Sequence, residues 1–516
     1  MRTLLTSLLL LTACGGRDPE VRVAGMELRL LRAETCQPGT DVTQILVQAL
    51  GDFPPSDEAT IDVLRPATEP GIIDRFPPDT QLVTVRAASS DWVGIGARAL
   101  SDLGEMGPLL LVPEGRSCPL ADFGQIAPGA RAVALPDGGL LVVGGEDGLF
   151  GSRRVMRLGP GERMATVLPV EDALDRRRAG HTLVDLGDRI LIVGGSEGSA
   201  SGPADDRYEV YDVASGRVTE GGALGTSRTL AAAAALPDGR VLVAGGKAFV
   251  EMESLPTVEV LDPDAGTSTA APDLDIAQSE AHLVTLDDGA VIMLGGAGNE
   301  ARFLPFLWAW DPNGEALVRV DDAAIGAWPD GYDVAVLEGG RAILVGDTVG
   351  SSQTRDARLI THLPPAPLRF SVATVTLDIP DLVNVRAATL GDGRVLVTGR
   401  DEVGDPRAFA FDLGQVNLRN EVIRDELDAS RVPTHLLTLA DGLVAELGLA
   451  SSSLRRAEGI RTPFHNAPAS FGAEFLALDA PFRWFIDAAT GAVVAQTDDA
   501  RADIATLRFD DVAIEL

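Results

Sequence analysis

The chain has 516 residues, far more than one ordinary core needs, so several domains or one large repeat array are expected. Its 56 glycines, set between short apolar runs, suit an all-β protein with many turns. With 76 Asp+Glu against 43 Lys+Arg the formal charge is −33, which argues against nucleic-acid binding and leaves basic partners or cations such as calcium open; its plainest role is to keep a secreted protein soluble.

The first fourteen residues carry one positive side chain and then an apolar run too short to span a bilayer, the pattern of a secretory signal over 1–13. Leu11-Thr12-Ala13-Cys14 resembles the bacterial lipobox. That resemblance implies cleavage before Cys14, acylation of Cys14, a short tether over 14–20 and contact with the membrane through this N-terminal lipid only. Gly15 after the cysteine, by resemblance to the enterobacterial sorting rule, points to the outer rather than the inner membrane.

Residues 21–120 hold spaced strand candidates separated by clusters such as Asp52-Phe-Pro-Pro-Ser56. They are expected to form a small immunoglobulin-like β-sandwich. Cys36 and Cys118 lie near its two ends and are expected to pair as a disulfide in an oxidising envelope compartment.

From 121 to 467 one phrase recurs, shown best by Leu236-Pro-Asp-Gly-Arg-Val-Leu-Val-Ala-Gly-Gly246. Its copies end at Gly144, Gly194, Gly245, Gly295, Gly346, Gly399 and Gly448, at steps of 50, 51, 50, 51, 53 and 49 residues. A period near fifty with four short strands per unit predicts a β-propeller, with seven blades expected and six or eight as alternatives. The aliphatic runs before the glycines read as strands buried on both faces. A second hairpin per unit turns at an Asp, as at Asp212, Asp262, Asp311 and Asp412, and its Glu209/Tyr211 and Glu259/Leu261 alternation reads as a half-exposed outer strand. The diglycine, the opening Arg178-Ala-Gly-His181 and the aromatic-Asp strand resemble Kelch repeats, although the second glycine is lost at Asp347, Arg400 and Leu449. Residues 468–516 hold further strands that either complete the ring or form a small appendage.

The position thirteen residues before each phrase-ending glycine is occupied by Arg131, His181, Ala232, His282, Asp333, Arg386 and His435. In a propeller such a column becomes a ring about the axis. It either hydrogen-bonds neighbouring backbone or makes a site for an acidic ligand or a metal. Galactose oxidase, a Kelch-type copper enzyme, needs a cysteine cross-linked to tyrosine. Here the array has no cysteine, and the tyrosines are Tyr208, Tyr211 and Tyr332. No phosphate loop, Gly-x-Ser-x-Gly elbow, His-Glu-x-x-His or Cys-x-x-Cys occurs. Asp262, Asp264, Asp273 and Asp275 could take calcium but read first as turn acids, and Arg176-Arg177-Arg178 reads as a solvated loop or a contact for an acidic partner. No catalytic residue or cofactor is assigned. The expected function is a lipid-anchored, non-catalytic scaffold for a protein or glycan, with a polysaccharide-active hydrolase or lyase as the alternative and a part in a larger envelope assembly as a third reading.

Overall fold

The structure, a computed structural model, describes most residues from 126 to 448 apart from some loop tips, and elsewhere the backbone of individual strands. The repeated phrase makes one hairpin each time. In 236–246, the Gly239 amide donates to the Leu236 carbonyl at 3.0 Å and the Arg240 amide to Asp238 Oδ1 at 3.1 Å, while Gly239 takes φ +86°. That turn chemistry fixes the hairpin locally. The strand Val241–Ala244 that follows is buried throughout, as are Leu140–Val143 and the first six residues of Val291–Gly298.

The glycine that ends the strand is required by its surroundings. Gly245 has φ +62°, and a Cβ there would stand 2.2 Å from the Gln278 carbonyl oxygen; Gly194 repeats this against Arg228 at φ +64° and 2.3 Å. A side chain would meet both the left-handed backbone penalty and the next blade's main chain.

Six four-stranded antiparallel sheets form self-contained blades, over 131–167, 182–223, 232–271, 278–319, 332–376 and 383–427. The sequence expects seven like units. The last of its phrases belongs instead to a composite sheet, in which His435–Thr438, Val444–Leu447 and Ser452–Arg455 take their fourth strand, Ser117–Leu120, from before the array. The inner strand His435–Thr438 lies between those of the blades over 383–427 and 131–167 and joins the two ends of the array. Apolar clusters fill the joints between neighbouring sheets. One packs Leu242, Val258, Met293 and Trp308; another packs Leu140, Met156, Ala445 and Leu447 across the closure. Trp308 is fully buried, and its indole N–H donates to Asp275 Oδ1 at 3.2 Å.

The expected immunoglobulin-like sandwich is corrected. The seven strands between Glu20 and Pro113 form a single sheet, with Met26–Arg32 parallel to Met106–Pro113, and not the two facing sheets of an immunoglobulin-like sandwich. The ten-residue strand Thr80–Ser89 pairs with a neighbour on each side, so the strands extend one sheet. Cys118 lies on the strand that pairs with Leu454 of the propeller, and its expected partner Cys36 lies outside the described residues. Cys14 also lies outside the described residues. The C-terminal stretch contributes a separate sheet of Ile460–Arg461, Phe482–Ile486, Val493–Thr497 and Ala505–Leu507, and the ring is completed from the other side of the array.

Candidate functional site at the propeller hub

The expected column exists, with one slip. Arg131, Ala232, His282, Asp333, Arg386 and His435 each pair with the residue just before their phrase's glycine and stand at one level of the inner strands. In the blade over 182–223 that place belongs to Thr182, opposite Val193. The hairpin there is one residue shorter, so counting back from Gly194 lands on His181, one step out of register. A one-residue step sends the side chain to the other face.

The ring side chains reach across to the next inner strand. Arg131 Nε donates to the His181 carbonyl at 3.1 Å, Thr182 Oγ1 to the Ala231 carbonyl at 2.6 Å, and Arg386 Nε to the Thr434 carbonyl at 2.9 Å. Asp333 Oδ2 accepts from the Ala387 amide at 3.0 Å, the His282 ring packs on Tyr332 at 5.2 Å, and His435 is hydrogen-bonded to the Ala130 backbone. Ala232 alone of this level has no polar group to offer. Tyr332 adds a contact the sequence did not suggest: its hydroxyl accepts from the Gly296 amide at 2.7 Å, and burial pushes its pKa up to about 12.

The electrostatics show how close these groups are. Burial lowers the pKa of His435 to about 4, helped by Arg131 and Arg386. Burial also lowers His282, where Asp333 opposes the effect and Arg386 and Arg131 add to it. Arg131 itself is pulled below its ordinary value by burial, with Glu280 opposing and Arg386 contributing. Arg131, His282, Asp333, Arg386 and His435 each keep partial contact with solvent.

His181 is different. It is wholly buried, neither ring nitrogen has a hydrogen-bond partner, and a Cβ on Gly144 would stand 2.8 Å from its Cε1. Burial, with Arg131, Arg178 and His435 adding, holds its pKa well below the usual histidine value. It is a packed inter-blade side chain and does not join the ring.

Two buried ion pairs outside the ring escaped the sequence reading. Arg178 Nε donates to Glu209 Oε2 at 2.6 Å, and its Nη1 donates to the carbonyls of Gly194 and Arg207 at 2.6 and 2.9 Å. Arg228 repeats this one unit later with Glu259, Gly245 and Thr257. The strands carrying the two glutamates are therefore interior, and the basic run over 176–178 divides: Arg178 is buried, while exposed Arg177 lies over the Phe150 ring at 5.8 Å. The signal available in the sequence was an Arg at 178 and 228, each followed by a Glu 31 residues later.

Three of the four acids considered for calcium have other partners. Asp262 Oδ1 accepts the Asp264 and Ala265 amides at 3.0 and 2.9 Å, Asp264 pairs with Arg189 at 2.5 Å, and Asp275 pairs with Arg319 at 2.5 Å. Among the described residues no group of three or more His, Cys, Asp or Glu is disposed to hold a metal ion. A cavity of about 420 Å³ lies on the blade over 131–167, lined by Gly144, Glu146, Asp147, Ser152, Arg154 and Met156, and includes none of the ring residues.

No protein-family model matches the chain, so the Kelch resemblance gains no support there, and no curated protein matches it either. Among solved structures, a fungal alcohol oxidase of the AA5 family in complex with copper is similar over 76% of this chain and 89% of that chain, at 18% identity and a TM-score of 0.51. At this hub Tyr332 and His282 are adjacent, and among the described residues no group of three His, Cys, Asp or Glu joins them. At that identity the likeness is one of fold, and the fold is an all-β propeller.

Proposed function

We propose that the chain is a lipid-anchored protein of the bacterial envelope whose divergent Kelch-like propeller is a non-catalytic scaffold for a protein or glycan. The observation that carries this reading is the hub. The polar side chains gathered there are engaged on neighbouring backbone, apart from His282, which packs on the Tyr332 ring, and among the described residues none forms a nucleophile–base pair with another. Such an arrangement makes a rigid frame for loops. Lipid on Cys14 would hold the frame at the membrane, with the outer membrane as the expected address, and the N-terminal sheet would act as a spacer.

The test incubates the soluble chain starting after Cys14 with a panel of neutral and acidic polysaccharides. Binding is read from the unfolding temperature, and turnover from reducing ends and unsaturated uronate. A saturating ligand at about a hundred times its Kd adds roughly 2.7 kcal/mol, enough to see. A shift without product supports the scaffold. Product release would establish the polysaccharide-active hydrolase or lyase in its place.

A further inference from the structure

The ring contains more cationic capacity than its blade-to-blade bonds use. Arg131 bonds its neighbour through Nε, and Arg386 through Nε and Nη1, the latter to the Val385 carbonyl at 2.6 Å. Neither arginine forms an ion pair with a carboxylate among the described residues, although each stands close enough to influence His435 and His282. Both side chains keep partial contact with solvent. Anchoring Nε to a carbonyl holds each guanidinium plane in place before any ligand arrives, which lowers the ordering cost of binding.

Asp333 is the acid of this ring, and its two oxygens accept the Val334 and Ala387 amides, each at 3.0 Å. Glu280 is exposed, and its charge reaches Arg131. Around them the protein carries a formal charge of −33. A polyanion would be repelled at long range by that surface, whereas a small anion is screened from it within about 10 Å at ordinary ionic strength. Planar guanidinium forks match the two oxygens of a carboxylate better than they match a spherical anion.

We infer that the propeller hub is a binding site for a small carboxylate anion, held by the free guanidinium N–H groups of Arg131 and Arg386 with His435 and His282 beside them. The site rests on the scaffold reading only in taking the ring as preformed and unreactive. Its loss would leave binding of a protein or glycan by the loops untouched, and the polysaccharide test above would be unaffected.

The experiment titrates the intact chain, carrying ¹³C-labelled histidine, with succinate at constant ionic strength, and follows the Cε1–H resonances of the five histidines. A saturable shift of His435 and His282, with His362 unmoved, is expected. Arg386→Gln should weaken it at least tenfold. Arg131→Lys, which keeps the charge but loses the fork, should weaken it less. A wild-type titration needs no variant to fold, so it decides the matter alone. No histidine shift, or the same shift with chloride, would overturn the site. Shifts produced by an oligogalacturonate or a Glu-rich peptide but not by succinate would overturn the small-ligand assignment.

Discussion

His181, His282 and His435 set an acid limit on the fold. All three have folded-state pKa values below the ordinary histidine value, with His435 at about 4. The unfolded chain therefore binds protons that the folded chain refuses. The stabilisation they give is complete above about pH 6.5 and is lost as pH falls toward the folded values, at roughly 1.4 kcal/mol per pH unit for each such group. The urea midpoint should drop between pH 6.5 and 4, and His181→Leu should flatten that drop. An unchanged slope in the variant would show that His181 accepts a proton in place. Arg228 and Glu259 make a second residue-scale case, because both are almost fully buried. Arg228→Ala removes the counter-charge from a buried carboxylate that the Gly225 and Thr226 amides and the Ser268 hydroxyl still contact, and should cost about 3–5 kcal/mol. The double change Arg228→Met with Glu259→Gln, which keeps an acceptor for those amides, should recover much of it. Equal losses in the two proteins, measured by urea unfolding, would contradict the pairing.

Within one hairpin, the element is legible in the sequence because its causes are local. The Asp-Gly turn, the apolar run and the glycine stop lie within eleven residues, and the structure places each where the pattern predicts. Gly245→Ala should cost about 2–3 kcal/mol, because a left-handed backbone and a carbonyl clash act together, whereas Gly239→Ala, with φ +86° and open space around it, should cost about 1 kcal/mol. Thermal unfolding of the two variants would separate them, and equal losses would remove the clash from the argument. Where causes are distant in the chain, the local pattern does not carry them. Counting back from Gly194 cannot see a hairpin shortened by one residue, so His181 was placed in the ring where Thr182 stands. Glu209 looked half-exposed because its partner Arg178 lies 31 residues earlier in the chain.

At the scale of the whole molecule, the period announces a propeller but cannot say how the ring closes. The closing strand, Ser117–Leu120, was read as the end of the N-terminal domain, because pairing with Ser452–Arg455 spans the entire array. Cys118 goes with that strand into the propeller. A chain beginning after Leu120 would leave that sheet with an unpaired edge. It should unfold at a lower temperature and associate with rising concentration, and a truncated chain as stable and monomeric as the longer one would contradict the closure.

On the proposed scaffold reading, the hub side chains hold neighbouring blades together. Asp333→Ala tests it most directly, since it strips the acceptor from the Ala387 amide of the next blade and leaves the hydrophobic joints in place. Urea unfolding should show a loss of about 1–3 kcal/mol, the cost of an unsatisfied buried donor, with polysaccharide or protein binding by the folded variant unchanged. Unchanged stability together with lost binding or lost turnover would contradict the account and make Asp333 a working residue of the site.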